Sequence, residues 1–390
     1  MTVSMKNQAA IAGIGQTAYT KQSGVSELSL ASDAVARCLR DAGVPPSEVD
    51  GMVSYTLDSS DEIEVAQNVG IGDLNMYAKI NYGGGAAIGL IQQAAMAITS
   101  GVCNNVVVWR AMNGRSGRRM GQGTGQPIVS SDLIHWSWYQ VYGMLTPASW
   151  VAMIAHKYMH TYNVPNDTLA TVALTQRKFA ETNPAAFGYQ NPMSMEDYYQ
   201  SKLVSYPLRV FDCCQESDGG CAILITSTER ARDLKQKPAI IRGVTQASVQ
   251  GQEQMTSFYR NELTSLPEME YAAKRVYDMS GLGPDDIDAS CLYDAFTPEV
   301  VMQLESFGFC GEGEAKDFIA DGNIGPHGRL PNNTHGGLLS EAYIHGVNNI
   351  VEAARLIRGE SVNQPKKNID HALVSSGVGV PTGALILGKD

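Results

Sequence analysis

The chain has 390 residues, of which 44% are hydrophobic and 18% charged, with a formal net charge of −11. That size and balance fit a globular protein with a large core or two fused halves. The acidic excess argues against nucleic acid as the main partner. No run approaches the roughly 18 apolar residues a membrane span needs, so no membrane partner is expected. Met1 to Ala10 is polar and lacks the features of a secretory signal. The seven cysteines, Cys38, Cys103, Cys213, Cys214, Cys221, Cys291 and Cys310, are irregularly spaced. They read as free thiols in a reducing cytoplasm rather than as a disulfide or zinc framework.

In chain order, Ala9 to Gly15 is a buried strand ending in a Gly turn, without the third glycine of a dinucleotide fingerprint. Ser29 to Ala42 carries Leu30, Ala34, Ala36 and Leu39 at helical spacing and stops at Gly43. An acidic turn from Pro45 leads into a strand over Met52–Tyr55. Three glycines, Gly83, Gly84 and Gly85, precede a small-residue helix reaching about Ser100, and Asn104 to Arg110 is a strand. Strand, turn, helix and strand make an α/β pattern. The one basic cluster, Arg110, Arg115, Arg118 and Arg119, is either a solvated loop or a contact for a coenzyme diphosphate.

Residues from about 111 to 210 leave that rhythm and read as a loop or lid region inserted in the first half. A helix from Pro147 places His156 and His160 on one face, without a third metal ligand. Asp212 to Gly220 is a polar turn before a strand over Cys221–Thr226. From residue 239 the plan restarts: a strand over Ala239–Val244, a helix over Glu268–Ser280, then Gly281 to Asp288, which echoes Asp41 to Asp50. In both halves the next short strand contains a tyrosine, Tyr55 or Tyr293. The expected organisation is two similar halves, 1–238 and 239–390.

The stretch from Pro331 to Gly346 holds a turn-forming Asn pair, Gly336-Gly337 and an apolar run that reads as a helix start. A Gly pair lets backbone approach a ligand and leaves N–H groups for an anion or carbonyl oxygen. Tyr343 and His345 follow closely enough to face the same cavity.

These features together, with Tyr293-Asp294-Ala295-Phe296-Thr297 and the Gly-rich closing hairpin, resemble the thiolase superfamily over nearly the whole chain. The resemblance implies an α/β thiolase fold of two duplicated βαβαβ halves in five layers, αβαβα. Within the superfamily the chain is similar to the thiolase-like lipid-transfer proteins related to sterol-carrier-protein thiolases. It departs from thiolases at each catalytic place. Tyr82-Gly83-Gly84-Gly85 stands where the nucleophilic Cys is expected, and Tyr343 where a His follows the Asn333 motif. Ser375-Ser376-Gly377 stands where the second Cys is expected, and Tyr293 where an Asn or His is. Chemistry through an acyl-cysteine is therefore not expected.

The two tyrosines resemble those of steroid side-chain-cleaving retro-aldolases, which work with an OB-fold DUF35-type partner. The resemblance implies a β-hydroxy steroid acyl-CoA substrate, such as a 17-hydroxy steroid side-chain CoA thioester. It also implies a homodimer within a heterotetramer, with no cofactor or metal on this chain and any zinc on the partner. The expected site is Tyr293 as base on the hydroxyl and Tyr343 as proton donor to the enolate; the reverse serves the same chemistry. A phenol with a pKa of about 10 needs a lowered pKa or a relay, for which Asp294, His335 and His345 are the candidates. Gly336, Gly337 and Gly377 are the oxyanion candidates; Gly84 borders the vacated nucleophile position, and Asn333 shapes the turn. A non-catalytic lipid or acyl-CoA carrier, a thiolase-like acyltransferase and a scaffold for the partner are the competing readings. A carrier has no need of two phenols at former catalytic positions.

Overall fold

The computed structural model describes residues 5–80, 84–117, 119, 136–252, 258–377 and 382–390. The first half begins with β1 (Ala9–Gln16), α1 (Glu27–Ala42), β2 (Gly51–Tyr55), α2 (Glu62–Val69), β3 (Met76–Ile80), α3 (Ala86–Thr99) and β4 (Asn105–Asn113). It continues through α4 (Trp136–Gln140), α5 (Pro147–Tyr162), α6 (Asn166–Ala180), α7 (Met195–Gln200), β5 (Leu203–Ser205), β6 (Leu208–Arg209), β7 (Asp218–Ser227) and α8 (Thr228–Arg232). After residue 238 come β8 (Ala239–Ala247), α9 (Pro267–Ser280), β9 (Ala289–Cys291), α10 (Thr297–Ser306) and α11 (Ala315–Ala320). The chain closes with α12 (Gly337–Ser340), α13 (Val347–Arg358), β10 (His371–Ser376) and β11 (Thr382–Gly388).

Nine strands form one sheet in the order β3-β2-β4-β7-β1-β8-β11-β10-β9. The first five come from residues before 238 and the last four from residues after it. The seam is thin, with only Ala10 facing Ile240 and Ile11 facing Ala239. On each side of it an antiparallel pair leads outward to a parallel one: β7 beside β4 and β4 beside β2, then β11 beside β10 and β10 beside β9. Helices cover the strands in three layers. α1 and α2 pack Leu30, Val35, Leu39 and Val65 on the outside of the first half. α5, α9 and α10 pack Ile154, Met269, Val276 and Val300 on the outside of the second. α3 and α13 lie between, their Ile88, Leu90, Ile91 and Ile350 sharing a core with strand residues of both halves. The result is the five-layered α/β thiolase fold that the sequence implies.

Local sequence explains these elements. α1 is amphipathic, starts where Ser26 Oγ accepts the Ser29 N–H at 3.1 Å, and stops at Gly43 with φ 72°. α3, AAIGLIQQAAMAIT, is apolar on most faces because it is enclosed on most faces. β7 is buried along nearly its whole length, as a strand covered on both faces must be.

Four expectations are corrected. Tyr293 is not in a strand, because β9 ends at Cys291 and Tyr293 lies in the loop to α10. The segment from Asp212 to Gly220 is a turn only in part: β7 starts at Asp218 and includes both glycines. The helix after Gly336-Gly337 is a single turn, and α13 begins separately at Val347. The inserted region is largely helical where described, and α6 packs on α10, α11 and α12; Arg118 lies outside the described residues. Among the described residues no helix is long and apolar enough to cross a membrane. Nor do three metal-ligating side chains cluster there, and His156 and His160 are exposed on α5.

Candidate active site

Tyr293 and Tyr343 meet. Their hydroxyl oxygens are 2.8 Å apart, with the rings at 65° and centroids separated by 6.5 Å. Tyr293 is buried and Tyr343 partly exposed. The Tyr293 backbone is fixed at both ends: its N–H donates to Ser375 Oγ at 2.9 Å and its carbonyl accepts from Gln303 Nε2 at 2.7 Å. The ring lies where the N-termini of the two central helices come together. A Cβ on Gly84, just before α3, would overlap the Tyr293 hydroxyl, and one on Gly346, the cap of α13, would lie 3.1 Å from Cδ2. Only glycine fits at either place. The positive ends of α3 and α13 thus converge on the phenol, a field suited to negative charge.

A strap from Cys213 to Ser217 holds the two tyrosine segments together. Cys213 bridges to Phe296 and Glu216 bridges to Tyr343. Cys214 N–H donates to Ala295 O at 2.9 Å, and Tyr343 N–H donates to Ser217 Oγ at 2.9 Å. Burial keeps both phenols protonated, each held well above the ordinary tyrosine value, with mutual repulsion adding to this at Tyr293. For Tyr343 the hydrogen bond from Tyr293 and the charge of Arg110 work the other way.

His345 stands beside Tyr343, edge-on at 4.8 Å between ring centroids, and its ring stacks on Tyr55 at 5.7 Å. Its backbone is left-handed, φ 51°, and its carbonyl accepts from Tyr55 Oη at 3.1 Å. Its Nδ1 accepts from Arg110 Nε at 3.0 Å. Arg110 is buried and ion-paired with buried Asp58, which removes it from a solvated loop, one of the two readings of the basic cluster. Arg119 is likewise engaged, with Glu216.

The remaining candidates stand around the pair rather than in it. Asp294 is buried, and its carboxylate accepts from the N–H groups of Leu338 and Leu339 at 3.0 and 3.2 Å, so it caps α12. Burial raises its pKa to about 7 against those hydrogen bonds. His335 Nε2 lies 3.2 Å from Asn349 Oδ1 and 3.6 Å from Glu341 Oε2, and burial lowers its pKa to about 4. Neither residue hydrogen-bonds Tyr293 or Tyr343. Asn333, at φ 54°, donates from Nδ2 to Leu292 O at 2.9 Å and shapes the turn. Gly336 and Gly337 are both closely packed on the side a Cβ would occupy. A Cβ on Gly336 would lie 2.7 Å from Ala180 Cβ, and one on Gly337 would overlap Asp294 and Gln176. The Gly336 N–H is already given to Asn333 O at 2.8 Å, which removes it as an oxyanion donor. Gly377, φ 73°, ends β10, and its carbonyl accepts from Thr382 Oγ1 at 3.1 Å. Ser376 Oγ accepts the Ile88 N–H at 3.3 Å, closing part of the α3 N-terminus.

Sequence reasoning gave Arg110 another setting and missed Asp58, Ser217, Gly346, Cys214 and Glu299. The last two act electrostatically on both tyrosines, and burial raises the Glu299 carboxyl to about 8. All seven thiols are free, and burial raises each of them above the ordinary value. The available signal was the strap itself, where a Cys pair and Glu216 sit together just before a buried strand.

Comparison with known proteins bears on this geometry. Residues 249–389 match the family described as thiolase C-terminal domain-like. The chain is 53% identical over 384 residues to the steroid side-chain-cleaving aldolase of Thermomonospora curvata, covering 98% of each. It is 49% identical over 386 residues to the 17-hydroxy-3-oxo-4-pregnene-20-carboxyl-CoA lyase of Mycobacterium tuberculosis, covering 98% of this chain and 100% of that one. The solved Ltp2-ChsH2(DUF35) aldolase matches with a TM-score of 0.95 at 52% identity, covering 99% of both chains. Human mitochondrial 3-ketoacyl-CoA thiolase, 16% identical with a TM-score of 0.69, shares the fold alone.

Proposed function

We propose that this chain, which belongs to the family of steroid side-chain-cleaving aldolases within the thiolase superfamily, is a carbon–carbon lyase acting on a β-hydroxy steroid acyl-CoA. A 17-hydroxy steroid side-chain CoA thioester would give a 17-ketosteroid and a short acyl-CoA. The observation that carries this reading is the pair of phenol oxygens 2.8 Å apart at the convergent N-termini of α3 and α13.

A retro-aldol step needs a base for the hydroxyl proton, stabilisation of the thioester enolate, and an acid for its α-carbon. A resting phenolate is disfavoured, since burial raises both tyrosines. The hydrogen-bonded pair removes the need for one. The substrate O–H proton passes to Tyr293 Oη as the Cα–Cβ bond breaks and the C–O bond becomes a carbonyl. Tyr293 gives its own proton to Tyr343, and Tyr343 gives its proton to the enolate α-carbon. Each phenol ends as it began, and no net charge is created in the pocket. Relay through Asp294 or His335 is unnecessary. Donors for the enolate oxygen are assigned to the N-terminal turn of α3 beside Gly84 and to the turn at Gly377, each typically worth about 3 kcal/mol in such sites.

In this reading the partner is an OB-fold DUF35-type protein, by analogy with the structural relative named above. Two copies of this chain and two partner subunits would make a cytoplasmic heterotetramer. The reading gives this chain no cofactor or metal and leaves any zinc on the partner. The test is incubation of the complex with a 17-hydroxy steroid side-chain CoA thioester. Release of the 17-ketosteroid and acyl-CoA supports the reading, whereas saturable binding without cleavage supports a carrier.

A further inference from the structure

We propose that Arg110, held by Asp58, is a positioning residue that acts through His345 on Tyr343. This rests on the retro-aldolase reading above for its functional meaning, though not for its geometry.

A guanidinium is always protonated and only donates. Because Arg110 Nε lies 3.0 Å from His345 Nδ1, that nitrogen must be the lone-pair acceptor. The imidazole is therefore neutral, with its proton on Nε2. Burial and the Arg110 charge both oppose a second proton. Arg110 is fixed in turn. Its Nη1 pairs with Asp58 Oδ1 and donates to Ala111 O at 2.7 Å. The Asp58 carboxylate also accepts from Tyr55 N–H at 2.9 Å and Ala111 N–H at 3.2 Å.

A buried ion pair is poor value as a stabiliser, because desolvation offsets its attraction. Here it lies at the far end of a chain that runs Asp58, Arg110, His345, Tyr343, Tyr293. His345 is also held in a left-handed backbone conformation, which ordinary side chains adopt only at a cost. The orientation of one ring is thus set three ways: by Arg110 at Nδ1, by Tyr55 against its face and by Tyr55 Oη on its carbonyl. The edge-on contact at 4.8 Å then makes that ring the wall that keeps the Tyr343 hydroxyl on Tyr293. Among the described residues, the other titratable groups that act on Tyr343 are Tyr293 and Glu299 from the β9–α10 region, Cys214 from the strap and Tyr55 from β2; Asp58 acts on Tyr55. None of them hydrogen-bonds the His345 ring.

The test uses the complex with selectively 15N-labelled histidine. In the wild type, His345 should show a protonated Nε2 and an unprotonated accepting Nδ1, without titrating between roughly pH 5 and 8. Since Arg110→Met alone strands Asp58, the informative variant is Arg110→Met with Asp58→Asn. It should let His345 change tautomer or titrate and should lower kcat at least tenfold with KM nearly unchanged. It should also alter the pH profile of kcat. In a His345→Asn background the same pair of substitutions should add less than twofold. Arg110→Lys, which keeps charge but not the fork, should recover only part of the loss. Wild-type resonances in the double variant, or full additivity with His345→Asn, would overturn the proposal. A wild-type complex with the predicted tautomer that fails to cleave substrate would instead sink the functional reading alone.

Discussion

Gly84→Ala is the sharpest test of the site, because it removes no chemical group. The added methyl would overlap the Tyr293 hydroxyl and lie 2.8 Å from Cε2, whereas ordinary contact begins near 3.4 Å. The edge it strikes already rests against Gly346, and the Tyr293 backbone is pinned by Ser375 and Gln303. The phenol must therefore move by about 1 Å, and a displacement of that size typically costs about a hundredfold in rate. Overpacking of this kind costs about 1–3 kcal/mol, which a domain with about 5–15 kcal/mol of stability survives. The expectation is a kcat about a hundredfold lower, read as release of ketosteroid, with unchanged far-UV circular dichroism and assembly. A variant that keeps kcat within twofold would refute the claim that the separation of the two oxygens governs turnover.

Tyr343→Phe should cut kcat by about 10²–10⁴ with little change in KM, since it breaks the relay without touching Tyr293; steady-state kinetics of the complex decide. Glu299→Gln should stabilise the protein increasingly as pH rises. The folded carboxyl, at about 8, holds its proton more tightly than the unfolded one at about 4.3. Its contribution is complete below about pH 4 and lost as pH climbs to about 8. The variant should therefore match the wild type near pH 4 and exceed its Tm by about 4 °C or more at pH 9, measured by calorimetry. Gly337→Ala, at φ 64° and against Asp294 and Gln176, should lose about 3 kcal/mol in urea unfolding.

Much of the fold was legible because it rests on local signals. α1 announces itself by period and a Gly stop, and the two acidic turns before β2 and β9 repeat with similar chemistry. The tyrosine pair was legible only by position on a motif, since nothing in either residue's neighbours marks it as catalytic. The Gly336-Gly337 turn misled because glycine permits close approach without saying to what. Here the neighbour is Ala180 on α6, over 150 residues earlier in the chain. Arg110 was open for the same reason: among glycines and other arginines it reads as a solvated loop or a diphosphate contact, and only Asp58 and His345 make it interior. Sequence periodicity reports which face is buried; it carries no information on which distant residue arrives there.

The 2.8 Å contact between the two phenols lies within the second half of the chain, but three contacts that hold the pair in place come from the first half. Gly84 meets Tyr293, Arg110 meets His345, and Ser217 meets Tyr343. The second half carries both phenols, but their setting depends on the docking of the first, and its completion requires loop closures of more than 100 residues. Turnover should be the last property to return on refolding, after secondary structure and bulk compactness are already in place.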